Sequence, residues 1–328
     1  MVTSQLLEGG CEDYVHQCNE HQMCSIDAVT GEPYCEISDC GGRPSVEQGY
    51  IMHYVNSAVD STAKLACSEF YETEYGHAVC TEKGEWNISI ACKAPRDCQR
   101  LKYLFRDAKS GVYDIAPVET YVIQAYCEMD VHLPGIPRGW TVIQRRMDGS
   151  VSFNRTWDLY ERGFGIPSGE HWLGNSVIHN LLRNRGSFLL VMVKFQYEEW
   201  KFALYTQFMV DGSDLQYKLS FGQCFGNASN ALGNQAGSGR YFANQTKFST
   251  IDQDNDKLTG TNCAKQQGGG WWHNACSLSN LNGIFCSTIL SYKWLCMTWE
   301  HEDYFVYGEM ESIMMVQRYN LQTLLSPA

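Results

Sequence analysis

Hydrophobic and polar positions change period several times along the chain. SFLLVMVKFQ, residues 187 to 196, is apolar at nearly every position, as in a central strand buried on both faces. GWTVIQRRMDGSVSF begins by alternating, and its Asp148-Gly149 pair signals a hairpin turn. LQYKLSF puts Leu215, Tyr217, Leu219 and Phe221 on one face and Gln216, Lys218 and Ser220 on the other, the period of a half-buried strand. NSVIHNLL sets Val177 and Ile178 against Leu181 and Leu182, which predicts a short helix with Asn175 as its N-cap. Gly111 offers a positive-φ turn into the strand GVYDIAP. From Cys98 onward the pattern predicts a mixed α+β domain dominated by sheet, with irregular loops after residue 222. Upstream, residues 40 to 92 run in short alternating segments between turn residues, the signature of a small all-β module. Residues 11 to 35 hold four cysteines and few aliphatics, too little to fold without crosslinks. No run of about 18 apolar residues occurs, so no transmembrane helix is expected.

Composition narrows the partners. Charged residues are only 19% of the 328 and aromatics 13%, so material for packed cores is ample. The formal net charge of −12 argues against nucleic acid and does not favour anionic membranes. The opening MVTSQLLEGG lacks the basic and apolar regions of a secretory signal; either a signal was removed or the chain is a fragment. None of the 15 cysteines forms a CxxC pair, which disfavours clustered zinc sites. Cysteine density and the sequons at Asn87, Asn154, Asn227 and Asn244, candidate glycosylation sites, together indicate a secretory, extracellular compartment. An odd cysteine count leaves at least one thiol free or paired between chains.

Three resemblances organise the chain as a 1–10 tail, modules at 11–38 and 39–93, a 94–97 linker, a large domain at 98–319 and a 320–328 tail. CEDYVHQCNEHQMCSIDAVTGEPYC resembles an EGF-like module, which implies Cys11–Cys24 and Cys18–Cys35 but lacks a third pair. Cysteines 40, 67, 80 and 92, with Trp86 shortly before the last, resemble a sushi module and imply Cys40–Cys80 and Cys67–Cys92. GWTVIQRRMDGSVSFNRTWDLYERGFG, SGEHWLGN, FSTIDQDND, NCA, GGWW and SNLNG, in that order, resemble the fibrinogen-related domain. That resemblance implies a multidomain protein. Its C-terminal α+β globe would have a twisted antiparallel sheet and a loop-rich calcium subdomain, with Cys98–Cys127 and Cys263–Cys276 as its disulfides. Cys286 and Cys296 suggest an extra local pair, which leaves Cys224 as a buried free thiol or an interchain link.

DQDNDKLTGTNCAKQQGGGWWHNAC, residues 252 to 276, concentrates the candidate chemistry. Alternating Asp252, Asp254 and Asp256 suit a hard, oxygen-seeking cation such as calcium, although a solvated acidic turn reads the same way. The resemblance implies Asp254 and Asp256 as side-chain ligands and Leu258 and Gly260 as carbonyl ligands, with Asp252 orienting the loop and Thr261 an insertion. It also implies a cis bond at Ala275–Cys276, next to a ligand pocket. Candidate pocket residues are Gln266, Gln267, Trp272, His273, Asn274, Ser277 and Tyr292. Gln267, His273, Ser277 and Phe285 replace residues that acetyl-binding members of the family carry, which casts doubt on acetylated sugars. Trp271, Trp272 and His273 read equally well as core.

No nucleophile elbow, phosphate loop or HExxH motif is present, so an enzyme is not expected. The main expectation is a secreted, calcium-dependent, lectin-like recognition protein, compatible with an oligomer, that binds glycans or other non-self ligands in innate defence. The alternative is a matrix or signalling ligand that binds a cell-surface protein receptor without glycan recognition.

Overall fold

The computed structural model describes residues 11, 17–72, 76–183, 186–195, 199–233, 242–286, 295–301, 304–305 and 310–318. Both predicted tails and Tyr292 lie outside the described residues. The chain divides into two units, Met1–Ala94 and Pro95–Ala328.

Crosslinks and turns shape the first unit. Strands β1 (Gln22–Ile26) and β2 (Pro33–Ile37) pair antiparallel as an isolated hairpin. Its turn is fixed by Asp27, whose carboxylate accepts from the Val29 and Thr30 amides at 2.8 and 2.7 Å. Strands β3 (Gly49–Tyr54), β4 (Thr62–Cys67), β5 (Gly76–Cys80) and β6 (Trp86–Ile88) follow as a four-stranded antiparallel meander. Its core is small: Ala63, Leu65 and Ala78, covered by Val46, Ile51, Tyr54, Trp86 and Ile90. Trp86 closes one side, with its indole N–H donating to the Gly42 carbonyl at 2.9 Å. Disulfides Cys11–Cys24, Cys18–Cys35, Cys40–Cys80 and Cys67–Cys92 tie the unit together.

The second unit is built on one large sheet. Helix α1 (Cys98–Leu104) precedes β7 (Gly111–Val118), β8 (Tyr121–Glu128) and β9 (Trp140–Arg146). Helix α2 (Trp157–Arg162), β10 (Phe164–Gly165), β11 (His171–Trp172) and α3 (Asn175–Leu182) come next, then β12 (Ser187–Phe195) and β13 (Lys201–Val210). Short β14 (Leu219–Ser220) and β15 (Cys224–Gly226) lead into the loops around α4 (Cys263–Gln266), β16 (Ser279–Asn280), β17 (Thr298–His301) and β18 (Tyr304–Phe305), and β19 (Met310–Arg318) ends the described chain. The sheet runs β10-β11-β9-β19-β12-β13-β14, with β8 and β7 beyond β9 and β15 against β13. The SFLLVMVKF run sits centrally between β19 and β13, as its continuous apolar pattern requires. Trp140, Val142, Phe188, Leu190, Leu204 and Met315 pack on one face of this sheet. Cys98–Cys127, Cys263–Cys276 and Cys286–Cys296 crosslink the unit, and Cys224, half-buried on β15, is its free thiol.

Four local expectations are corrected. Asp148-Gly149 turns the chain but joins no hairpin. Instead the amides of Met147, Asp148 and Gly149 converge on the buried Glu170 carboxylate at 2.8, 3.2 and 3.0 Å. LQYKLSF is a strand only at Leu219–Ser220, because Gln216 and Tyr217 take φ near +50° and break the extended path. Asn175 is the first helical residue and Gly174 the N-cap, since the Asn175 side chain accepts from the Trp172 indole at 3.0 Å instead of capping. Gly111 opens β7 without a positive φ. Asp97, within the predicted linker, N-caps α1 by accepting from the Arg100 amide at 2.8 Å.

Candidate functional site

The acidic loop hangs on a polar frame that starts in the sheet. Gln144, on β9, donates to the Leu281 carbonyl at 2.9 Å, and Arg146 donates to the carbonyls of Leu281 and Gly283 at 3.2 and 2.7 Å. This fixes the LNG turn. Asn282 in that turn donates to the Gly270 carbonyl at 2.9 Å, and the Tyr160 hydroxyl accepts from the Gly270 amide at 3.0 Å. Trp271 then exchanges backbone hydrogen bonds with Ser249, which places the acidic loop beside the tryptophan pair. Asn255 donates to the Phe248 carbonyl at 2.7 Å, and the Lys257 amide donates to the Asn274 carbonyl at 2.6 Å.

Within this frame the three acids differ. Asp252 is engaged elsewhere, its Oδ1 accepting from the Trp157 amide at the start of α2 and from the Thr250 hydroxyl at 2.8 and 2.7 Å. Asp254 is exposed and accepts from the Asp256 amide at 3.3 Å. Each oxygen of half-buried Asp256 takes one amide, from Leu258 and Cys263, both at 2.7 Å, which leaves lone pairs for a further partner. Burial, joined by the nearby Asp254 charge, pushes the Asp256 carboxyl above its ordinary value. Thr261 is taken up in a turn, its amide 3.4 Å from the Leu258 carbonyl. Gly260 has φ +81° and faces open space. No cluster of three or more His, Cys, Asp or Glu side chains suited to a metal occurs among the described residues; the loop offers two carboxylates and backbone oxygens.

The ligand face is more closed than the sequence implies. Trp271 and Trp272 are fully buried, and the Trp272 ring packs among Trp172, Phe248 and Trp271 at centroid distances of 5.2 to 6.1 Å. The Trp272 indole donates to the Tyr217 carbonyl at 2.8 Å, which gives the ring the contacts of a core residue. His273 is also fully buried, with Nδ1 at 3.1 Å from the Ser277 hydroxyl and Nε2 at 3.2 Å from the Gly269 carbonyl. Burial pushes its pKa down to about 4, so the ring is neutral at physiological pH. Gln267 sits near the same turn, its amide 3.5 Å from the Ser277 carbonyl. Asn274 is buried and donates to the Phe242 carbonyl at 3.0 Å. Gln266 alone among the described pocket candidates is exposed. The Ala275–Cys276 bond is trans, which corrects the cis expectation. The reversal is closed by the Asn274 amide donating to the Cys276 carbonyl at 3.1 Å.

The fold, the acidic loop and the tryptophan core now stand together. The family model for the C-terminal globular domain of fibrinogen beta and gamma chains matches residues 94–318. The chain belongs to that family. Human angiopoietin-related protein 6 is 38% identical over 194 residues, covering 58% of this chain and 37% of that protein. Bovine fibrinogen-like protein 1 is 39% identical over 214 residues, covering 62% and 66%. The chain thus spans less than two thirds of the length of both. Among solved structures, the fibrinogen-like globe domain of human ANGPTL2 superposes with a TM-score of 0.60 at 34% identity, over 68% of this chain and 99% of that one. The family is one of fibrinogen and angiopoietin-related chains, not of enzymes. No helix among the described residues is long and apolar enough to cross a membrane.

Sequence reasoning missed the groups that hold the fibrinogen-like globe's site in place: Gln144, Arg146, Tyr160 and Glu170. Arg146 and Glu170 form an almost completely buried pair, Nε to Oε1 3.4 Å. A signal existed, since charged residues inside otherwise apolar motifs seldom lie buried without a partner, but spacing alone did not pair them. The sequons divide as well. Asn87, Asn154 and Asn227 are exposed, whereas the half-buried Asn244 uses its amide on both the N–H and the carbonyl of Phe221.

Proposed function

We propose that this is a secreted signalling or matrix ligand whose fibrinogen-like globe binds a cell-surface protein receptor, with calcium bound in the loop at residues 254–260. The observation that carries the receptor reading is the closed state of the sugar-pocket positions. His273 and Ser277 are buried and bonded to each other, and Gln267 leans on the Ser277 carbonyl. A site must offer unengaged donors to take an acetyl oxygen, and these residues satisfy one another. The reported relatives are named as angiopoietin-related and fibrinogen-like proteins, neither as a lectin. Seven disulfides fit an extracellular setting.

The donor set fits calcium. Asp254 and Asp256 would supply carboxylates and Leu258 and Gly260 carbonyls, all hard oxygens. Two acids in contact, one of them partly desolvated, are also a pair that a cation relieves. The ion would stiffen the loop and so present the surface around exposed Gln266. Calcium is expected to raise the Tm of the globe, and D254A/D256A to abolish that rise. An unchanged Tm in the natural chain counts against the ion.

The glycan reading keeps one supporting observation. The Gln267 amide nitrogen is engaged but its Oε1, with Ser279 Oγ and Asn280 Oδ1, is buried without a hydrogen-bond partner among the described residues, so acceptor capacity at the closed positions is unmet. A glycan array with and without chelator, run beside a pull-down of cell-surface proteins, separates the two readings. Receptor capture without glycan signal supports the ligand; chelator-sensitive glycan signal overturns it.

A further inference from the structure

A second concave feature of the globe involves none of the acidic-loop residues. It is an open cleft of about 240 Å³ between β8, the α2–β10 turn and the start of β11. Tyr121, Phe164 and Pro167 form its apolar walls, buried Trp172 lies at its floor, and Gln124 and Arg162 bring polar groups to it. Its volume is below the roughly 300 Å³ at which small-molecule pockets begin, and suits one bulky side chain. Around it, Tyr121 is 54% exposed, Val122 49% and Ile166 62%.

The surrounding charge is basic. Arg162 lines the cleft, the Arg155 guanidinium sits 5.9 Å from the centre of the Phe164 ring, and Arg145 reaches the carbonyl of Ser168, beside Pro167, at 3.5 Å. Asp158 answers Arg162 at 2.6 Å, but that pair is largely exposed and readily rearranged. His171, also in the lining, is neutral because burial pushes its pKa down. The unit that carries the cleft is close to neutral, with 22 acidic and 21 basic residues over 95–328, so Arg162 and Arg155 set the charge beside the aromatic ring. Tyrosine and arginine are also the residues that dominate binding hot spots.

We propose that this cleft binds an acidic peptide segment of a protein partner. A large apolar side chain enters between Tyr121 and Phe164, and flanking carboxylates meet Arg162 and Arg155 in charge-assisted hydrogen bonds. No residue of the 252–277 stretch lines the cleft.

The test uses calorimetry on the full chain with the acetylated, amidated probe Glu-Glu-Phe-Glu-Glu, beside versions with alanine for phenylalanine and lysine for glutamate. Saturable binding of the first probe alone is expected. It should weaken at least about tenfold in Arg162→Ala and in Tyr121→Ala, as loss of one charged contact or one aromatic anchor implies. Arg138→Ala, at an exposed arginine outside the lining, should leave it unchanged, as should a chelator. No saturable binding, equal binding of the control probes, or full binding by both cleft variants overturns the proposal. Loss on chelation also overturns it, because the peptide would then sit on the calcium face.

Discussion

The two units of this chain solve the same stability problem by opposite means. The N-terminal unit buries a core of three small or medium residues and carries four disulfides. The C-terminal unit carries three disulfides across more than twice the length and buries five tryptophans at under 2% exposure. Charge divides the same way: residues 1–94 hold 15 acidic and 4 basic residues, whereas residues 95–328 hold 22 and 21. A small module cannot bury enough surface to offset its chain entropy, so covalent constraint of the unfolded state replaces packing. A larger unit can rely on its core, and it can place charged groups inside that core when they are fully bonded.

The contrast breaks most sharply at the crosslinks. Replacing Cys67 and Cys92 together with alanine removes about 3 kcal/mol from the first unit, most of what so small a domain is expected to have. Limited proteolysis should then digest the region before Ala94 while leaving a resistant globe. If the first unit keeps its own melting transition, its core is stronger than its burial implies, and the contrast fails.

The next largest effect is expected inside the globe. Glu170→Gln leaves Arg146 buried beside a neutral partner and weakens the cradle formed by the amides of Met147, Asp148, Gly149 and Val151. A loss of roughly 3 kcal/mol is expected, visible as a lower denaturation midpoint with an unchanged first unit. Burial alone would raise the Glu170 carboxyl, but Arg146 and the amides hold it below its ordinary 4.5. Its stabilising contribution is therefore complete above pH 4.5 and disappears as pH falls through the lower folded value. The variant should lose that acid-side slope.

These examples show what the sequence could and could not disclose. The continuous run at 187–195 announced a central strand because burial on both faces leaves no alternation to misread. The six ordered motifs disclosed the family, whose model matches residues 94–318. LQYKLSF misled because alternation records burial, not backbone: Tyr217 and Leu219 are buried as the pattern requires, yet Tyr217 is left-handed. The pairing of Arg146 with Glu170, and of His273 with Ser277, was not legible. The first pair meets across 24 positions, and both depend on which way a loop folds back. The candidate loop could be located from its acids, but the closed pocket beside it could not.

His273 gives the smallest and most discriminating expectation, because it tests whether the globe's polar interior behaves as core. Buried and neutral, with a folded pKa near 4 against an ordinary 6.5, it binds its proton less readily in the folded state than in the unfolded one. Between those two values the unfolded chain holds more protons, so stability rises with pH across the window and falls on acidification from 6.5 toward 4. The loss is bounded at about 3 kcal/mol, from roughly 1.4 kcal/mol per pKa unit, and relaxation of the site would lower it. His273→Gln should flatten the slope of globe stability between pH 6.5 and 4, even if it lowers stability at pH 7. The first unit's transition should show no change in either chain. An unaltered slope in the variant would mean that water reaches the ring, and that the pocket beside the acidic loop opens in solution.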